Sequence, residues 1–379
     1  MRRLFIILLS ATLLYGCVYP FDIEGGYGSD YDGDLRDIPL VVEGNICIGG
    51  ESVVTLSRLG EFGNFIAQGG LHYVSGATVL VQDNIGLVYN ATEEMGKYLI
   101  NIPSSKKNRT YRLMVKVDGN TYVSDYQMPL DAPKISGISA SATNDLVNVN
   151  ISIQSGNSDA NYVAVRYSEA WMFHADYIRM YDFDPSNGEI EVVTNPDLSH
   201  YYCWMTNTFT NDILVNLSET NGKVEGMSLL RFARTDNRLQ CGAYYLKPTV
   251  RALSEEEYRY RVQMNKNSSQ TGDLFSPNPG ELPSNVTCEN DPSIKVYGYV
   301  NIGRASSTLL NLDAKYYIQP NPTYLTILEP ENYLAYYFKG FLPVADYVTL
   351  EASGIGWGKD RCYDCVAAGG RIEKPSMVP

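Results

Sequence analysis

Residues 40–59 read LVVEGNICIGGESVVTLSRL, and this stretch decides the fold. Leu40, Val42, Ile46 and Ile48 share one parity, while Glu43 and Asn45 take the other. Strand side chains alternate between two faces, so the pattern is that of a half-buried strand. Gly49-Gly50 ends it, and Ser52 to Leu59 reads as the returning strand of a hairpin.

Similar strands follow toward the C-terminus. Val74 to Val81 is β-branched, Tyr98 to Ile102 follows Gly96, and Tyr111 to Val117 follows a polar stretch. Asp118-Gly119-Asn120 is a turn signal leading into Thr121-Tyr122-Val123. Short strands separated by turns indicate a β-sandwich over residues 39–130. Its strand at 74–81, the Gly96-Lys97-Tyr98 triplet and the strand opening at Tyr111 resemble transthyretin-like or carboxypeptidase-regulatory-like sandwiches of the immunoglobulin type.

Pro129 and Pro133 mark a linker, and from residue 135 to 379 the chain reads as a larger β-rich domain. Leu146 to Ile153 and Tyr162 to Tyr167 are alternating runs. One helix is expected near 254–265, with Ser254 and Glu257 as a capping box and Glu255 and Glu256 at the positive end of its dipole. Residues 267–285 form a loop. Strands are expected at 294–300, 307–318 and 325–328, before a turn-rich tail from Gly354. The expected class is mainly β, a sandwich followed by a second β-rich domain with one or few short helices.

At the other end, Arg2 and Arg3 precede an apolar run from Leu4 to Leu14, and Leu14-Tyr15-Gly16-Cys17 resembles a lipobox. Residues 1–16 read as a lipoprotein signal peptide. Cys17 is the expected lipidation site, and residues 17–38 an acidic, glycine-rich tether. This places the mature chain outside the cytoplasm, held to a membrane by acyl chains. No later run approaches the about 18 apolar residues of a membrane-spanning helix.

The chain has 379 residues, 44% of them hydrophobic, and a formal charge of -13. That acidity argues against nucleic acid as a partner and against adsorption to anionic lipid. Besides Cys17, six cysteines remain: Cys47, Cys203, Cys241, Cys288, Cys362 and Cys365. An even number in an oxidising compartment makes all six disulfide candidates, and the sequence does not choose their pairing.

Four features together resemble the Bacteroidetes lipoproteins labelled domain of unknown function 4249. They are the lipobox followed by Pro20-Phe21-Asp22-Ile23-Glu24, and the opening strand Leu40 to Ile46 with Val54 to Arg58. Then come the run from Leu253 to Tyr258 with Gly272 to Asn285 and Val296 to Val300, and the tail Cys362, Cys365, Gly369, Gly370, Lys374 and Pro375. Met377-Val378 stands where such proteins tend to carry an aromatic pair. The resemblance implies an outer-membrane lipoprotein encoded beside a TonB-dependent transporter, and it implies no ligand.

Other constellations are weighed against plainer readings. Asp30, Asp32 and Asp34 suggest calcium, but the glycine falls in the wrong place for such a loop, and a solvated tether fits better. Cys362-Tyr363-Asp364-Cys365 lies among glycines near the C-terminus, which favours structural disulfides over redox or zinc chemistry. His72, His174 and His200 are scattered and no G-x-S-x-G elbow is present, so no enzyme activity and no cofactor are expected. A hydrolase with a Ser-His-Asp site assembled from distant residues is the third choice. There are 30 tyrosines, and Trp171, Tyr202 and Trp204 are the aromatic binding candidates for a glycan or peptide. The expected role is a cell-surface, outer-membrane, non-enzymatic accessory of a TonB-dependent nutrient uptake system. A structural or adhesion lipoprotein is the alternative.

Overall fold

The alternation in residues 40–59 becomes the antiparallel strands Leu40–Cys47 and Gly50–Leu59, with Leu40 opposite Arg58 and Asn45 opposite Val53. Gly49 turns the hairpin at φ +89°, and Ser52 Oγ accepts from the Cys47 amide at 2.8 Å. The computed structural model describes residues 38–59, 71–94, 96–104, 108–155, 160–270, 284–350 and 352–379. Cys17 and the tether with Asp30, Asp32 and Asp34 lie outside the described residues.

The hairpin sits inside the first sheet of an N-terminal β-sandwich. Lys97–Ile102 flanks Gly50–Leu59, and the second sheet runs Val286–Cys288, Asn120–Ser124, Tyr111–Val117, Thr78–Asp83, Val88–Asn90. Leu40, Val42, Ile46, Val54 and Leu56 share one core with Val79, Val81, Leu113 and Val115. Each such side chain contributes roughly 1.5–3 kcal/mol by leaving water.

This sandwich is not confined to residues 39–130. Val296–Tyr297 and Val300–Gly303 return from far along the chain and pair in parallel with Leu40–Cys47, while Val286–Cys288 pairs with Asn120–Ser124. Gly298 makes the return possible. A Cβ there would lie 2.2 Å from the Val42 carbonyl oxygen, and its φ is +96°. The expected single strand at 294–300 is therefore broken in two around this glycine.

The second sandwich packs Lys134–Ala142, Leu146–Gln154 and Lys223–Ala233 against a sheet of Tyr202–Asn216, Tyr162–His174, Tyr244–Leu253 and Ala305–Ser307. Val147, Val149, Ile151 and Ile153 meet Val163, Val165, Tyr244, Leu246 and Val250 in its core. A small lobe follows, built on the sheet Thr326–Ile327, Ser353–Lys359 and Phe341–Val348 around the buried Trp357. In place of a strand over 307–318 there are Ala305–Ser307, Leu310–Leu312 and a short 3-10 turn, Ala314–Tyr316.

The helix expected near 254–265 runs Glu255–Gln270, four residues into the expected loop at 267–285, and a second, short helix is Tyr333–Tyr337. Ser254 Oγ accepts from the Glu257 amide at 3.1 Å, so the cap forms. The reciprocal half of the box is absent, because the Glu257 side chain turns instead to Arg251 and Arg261.

Among the described residues the cysteines form one disulfide, Cys203–Cys365, across 162 residues of chain. Cys47, Cys241, Cys288 and Cys362 are free thiols, which corrects the expectation of disulfides throughout. The Cys362/Cys365 pair is divided between two cores. Cys362 packs with Leu325 and Val344 in the lobe, and Cys365 joins the second sandwich core. Cys47 points toward Arg251 and Ala305, and Cys288 sits in the first core.

Candidate functional site: a cationic cavity between the sandwiches

The outward face of the first sheet supplies the floor. Alternation turns Glu43 and Asn45 away from the core, and the register sets Glu43 beside Thr55 and Thr55 beside Lys97. Glu43 and Lys97 thus stand two strand spacings apart, roughly 10 Å. The helix supplies the wall. Glu257, Tyr260, Arg261 and Met264 follow i, i+3, i+4, i+7 spacing and form one stripe. Tyr260, Arg261, Met264, Glu43, Asn45 and Lys97 all line a cavity of about 380 Å³.

The second sandwich contributes Arg166 and Thr210. The pairing of Tyr162–His174 with Tyr202–Asn216 shifts register between Val165 and Tyr167. Val165 faces Ile213 and Tyr167 faces Phe209, so Thr210 and Asp212 bulge opposite Arg166. Such a bulge re-aims side chains, and here it brings Asp212 onto two arginines.

A chain of ion pairs runs beneath the cavity. Glu257 Oε1 accepts from Arg251 Nη1 at 3.2 Å and from Arg261 Nε at 2.7 Å. Asp212 Oδ2 accepts from Arg261 Nη1 and, at 3.1 Å, from Arg166 Nη2. Burial works against the Asp212 carboxylate, but Arg261 and Arg166 outweigh it and hold its pKa below the ordinary value. Burial likewise opposes the Arg261 charge, and Glu257 and Asp212 overcome it to raise that pKa. At Arg251 burial wins and its pKa falls. Burial, with Glu43 adding to it, pushes the Tyr260 phenol up to about 12.

The network is not closed. Arg251 Nη2, Glu257 Oε2, Asn45 Oδ1 and Asn301 Nδ2 are buried with no hydrogen-bond partner among the described residues. Asn45 and Asn301 are register partners, so two of these orphans are neighbours at one junction. On three residues that line the cavity, Arg166 Nη1, Arg261 Nη2 and the Lys97 ammonium have no partner among the described residues. Glu43 has no ion-pair partner among them either.

The aromatic candidates do not form a site. Trp171 is in the second core, donating to Asn237 Oδ1 at 3.1 Å beneath Arg238. Trp204 lies in a separate cluster with Ala170, Met377 and Val378, so the Met377-Val378 tail supplies that packing without aromatic rings. Tyr202 is exposed and stands edge-on to Tyr201. His200 contacts Asp364 at 3.1 Å, and no hydroxyl is hydrogen bonded to the ring of His174 or His200 among the described residues. Sequence reasoning missed Lys97, Arg166, Asp212 and Arg261. The available signals were a lone arginine inside the apolar run Tyr162 to Tyr167 and the Glu257/Arg261 pair at helical spacing.

A family model described as "Domain of unknown function (DUF4249)" matches residues 29–308. The chain belongs to the DUF4249 family. The matched stretch holds every residue of the DUF4249 cavity, while the C-terminal lobe lies beyond it. No curated protein matches. Among solved structures, this DUF4249 chain is similar to a two fibronectin type-III domain segment from chicken tenascin, at 9% identity. That match covers 57% of this chain and 91% of the other, with a TM-score of 0.17. It is also similar to a putative carbohydrate binding protein from Bacteroides uniformis, at 10% identity, over 57% and 90% of the chains, with a TM-score of 0.14.

Proposed function

We propose that this chain is a non-enzymatic, ligand-binding lipoprotein of the outer membrane, an accessory to a TonB-dependent uptake system. The observation that carries the ligand-binding part is the cavity between the two sandwiches, with side chains from both and unpaired donors at its surface. Ligand sites favour such junctions, and about 380 Å³ lies within the range of small-molecule sites. The lipobox ending at Cys17 supports anchoring, with the acidic stretch as a tether. Contact with the transporter belongs to the folded domains in this reading, since an acidic tether alone gives weak, salt-sensitive attraction.

The test is a pull-down from mild-detergent membranes through a C-terminal tag, washed at rising salt. Recovery of a β-barrel transporter is expected, and shortening residues 25–37 should leave that recovery intact. Recovery of none at any salt contradicts the accessory role and favours the structural lipoprotein. In parallel, Cys17→Ser should release the protein from membranes. A variant that still pellets and resists carbonate extraction contradicts the anchor.

A further inference from the structure

The cavity is cationic in a chain whose net charge is -13. Three cations, Lys97, Arg166 and Arg261, line it against one carboxylate, Glu43, while Arg251, Asp212 and Glu257 stand in the ion-pair chain beneath. Asp212 and Glu257 accept from Arg166, Arg251 and Arg261 in that chain. Their effect is to fix the planes of the two lining arginines, while the remaining guanidinium N–H groups stay free to donate. Only Glu43 brings unpaired negative charge to the lining. A fixed arginine fork suits a planar, two-oxygen acceptor. Beside it, the Tyr260 and Tyr299 rings lie 5.2 Å apart, giving a carbon skeleton a surface to rest on.

We propose that this cavity binds a small carboxylate-bearing molecule, its carboxylate held by Lys97, Arg166 and Arg261. The proposal rests on the ligand-binding reading above and names the class of ligand. A partly buried site amplifies this selectivity, because a neutral analogue leaves the desolvated donors unmatched.

Titration calorimetry on the full chain purified in mild detergent tests it with three acids: D-glucuronate, citrate and N-benzoylglycine, each against its methyl ester. At least one acid should bind with a Kd of about 1 mM or tighter, and its ester about tenfold or more weaker. Two exposed positions give opposite signs. Lys97→Gln should weaken binding of that acid by about 3–10-fold, and Glu43→Gln should tighten it by about 2–5-fold. Unfolding cannot mimic a gain and a loss at neighbouring positions of one sheet. Binding by none of the acids at about 10 mM overturns the proposal. So do esters that bind as well as the acids, or acids indifferent to both substitutions. A failed transporter pull-down beside retained carboxylate binding removes the uptake role and leaves this site standing. A successful pull-down with no acid bound removes the ligand class alone.

Discussion

Two buried glutamates in this molecule have opposite surroundings. Glu169, inside the second sandwich, has both oxygens satisfied: Asn207 donates to Oε1 at 2.8 Å and Tyr244 to Oε2 at 2.7 Å. Arg238 neutralises it from 3.3 Å and covers the Trp171 and Phe232 rings. Glu257, at the junction, carries two arginines on one oxygen and nothing on the other. In the first network the carboxylate is fully satisfied and only Arg238 Nε lacks a hydrogen-bond partner among the described residues, so it belongs to the scaffold. In the second the carboxylate itself is half-satisfied, and its partner Arg261 lines a cavity, as expected where polar groups serve a site rather than stability.

The largest effect should come from breaking the network around Glu169. Glu169→Ala leaves Arg238 with only the partly exposed Asp236 and leaves the Tyr244 hydroxyl buried without its acceptor. A loss of about 3–5 kcal/mol is expected, read by denaturant unfolding. Replacing the open pair at the junction should behave differently. Arg251→Met with Glu257→Leu removes two desolvated charges and two orphaned atoms together; Arg261 loses one acceptor and keeps Asp212, so stability should change by about 2 kcal/mol or less. A loss as large as that of Glu169→Ala would erase the distinction between the two networks.

Titration sharpens the contrast further. Asp212 has a folded pKa below its ordinary value, so it contributes stability that is present above the unfolded carboxylate pKa. That contribution disappears as pH falls through the lower folded value, and Asp212→Asn should flatten this acid limb of the stability curve. At the other extreme, Tyr260 is raised from 10.0 to about 12, so the stability it contributes is present below 10.0 and lost as pH rises toward about 12. Tyr260→Phe should reduce the loss over that window. The smallest effect on folding belongs to Lys97→Gln, at about 0.5 kcal/mol or less, because Lys97 is exposed and has no ion-pair partner among the described residues. A substitution silent in folding and loud in binding is the signature of a site residue.

The sandwich was legible where apolar residues alternate at close range. Leu40, Val42 and Ile46 face the core as their parity requires. What parity could not show was partnership at long range. Val296–Tyr297 and Val300–Gly303 are too short to announce themselves, and their parallel pairing with Leu40–Cys47 depends on a backbone approach at Gly298. The cysteine pattern misled for a related reason. Cys362 and Cys365 are close in sequence, yet a tight turn sends them into separate cores. Trp171 and Trp204 drew notice for their ring size, and large rings more often fill interiors. The cavity itself was illegible because it arises from a register shift beside Arg166, and a bulge leaves no mark in residue type.

The most direct test of the account is a crystal structure of the protein soaked with whichever acid calorimetry selects. The account predicts its carboxylate within hydrogen-bond distance of Arg166 Nη1 or Arg261 Nη2, with Lys97 closing on it and the carbon skeleton against Tyr260 and Tyr299. A carboxylate bound elsewhere on the molecule, with these three cations untouched, would contradict it.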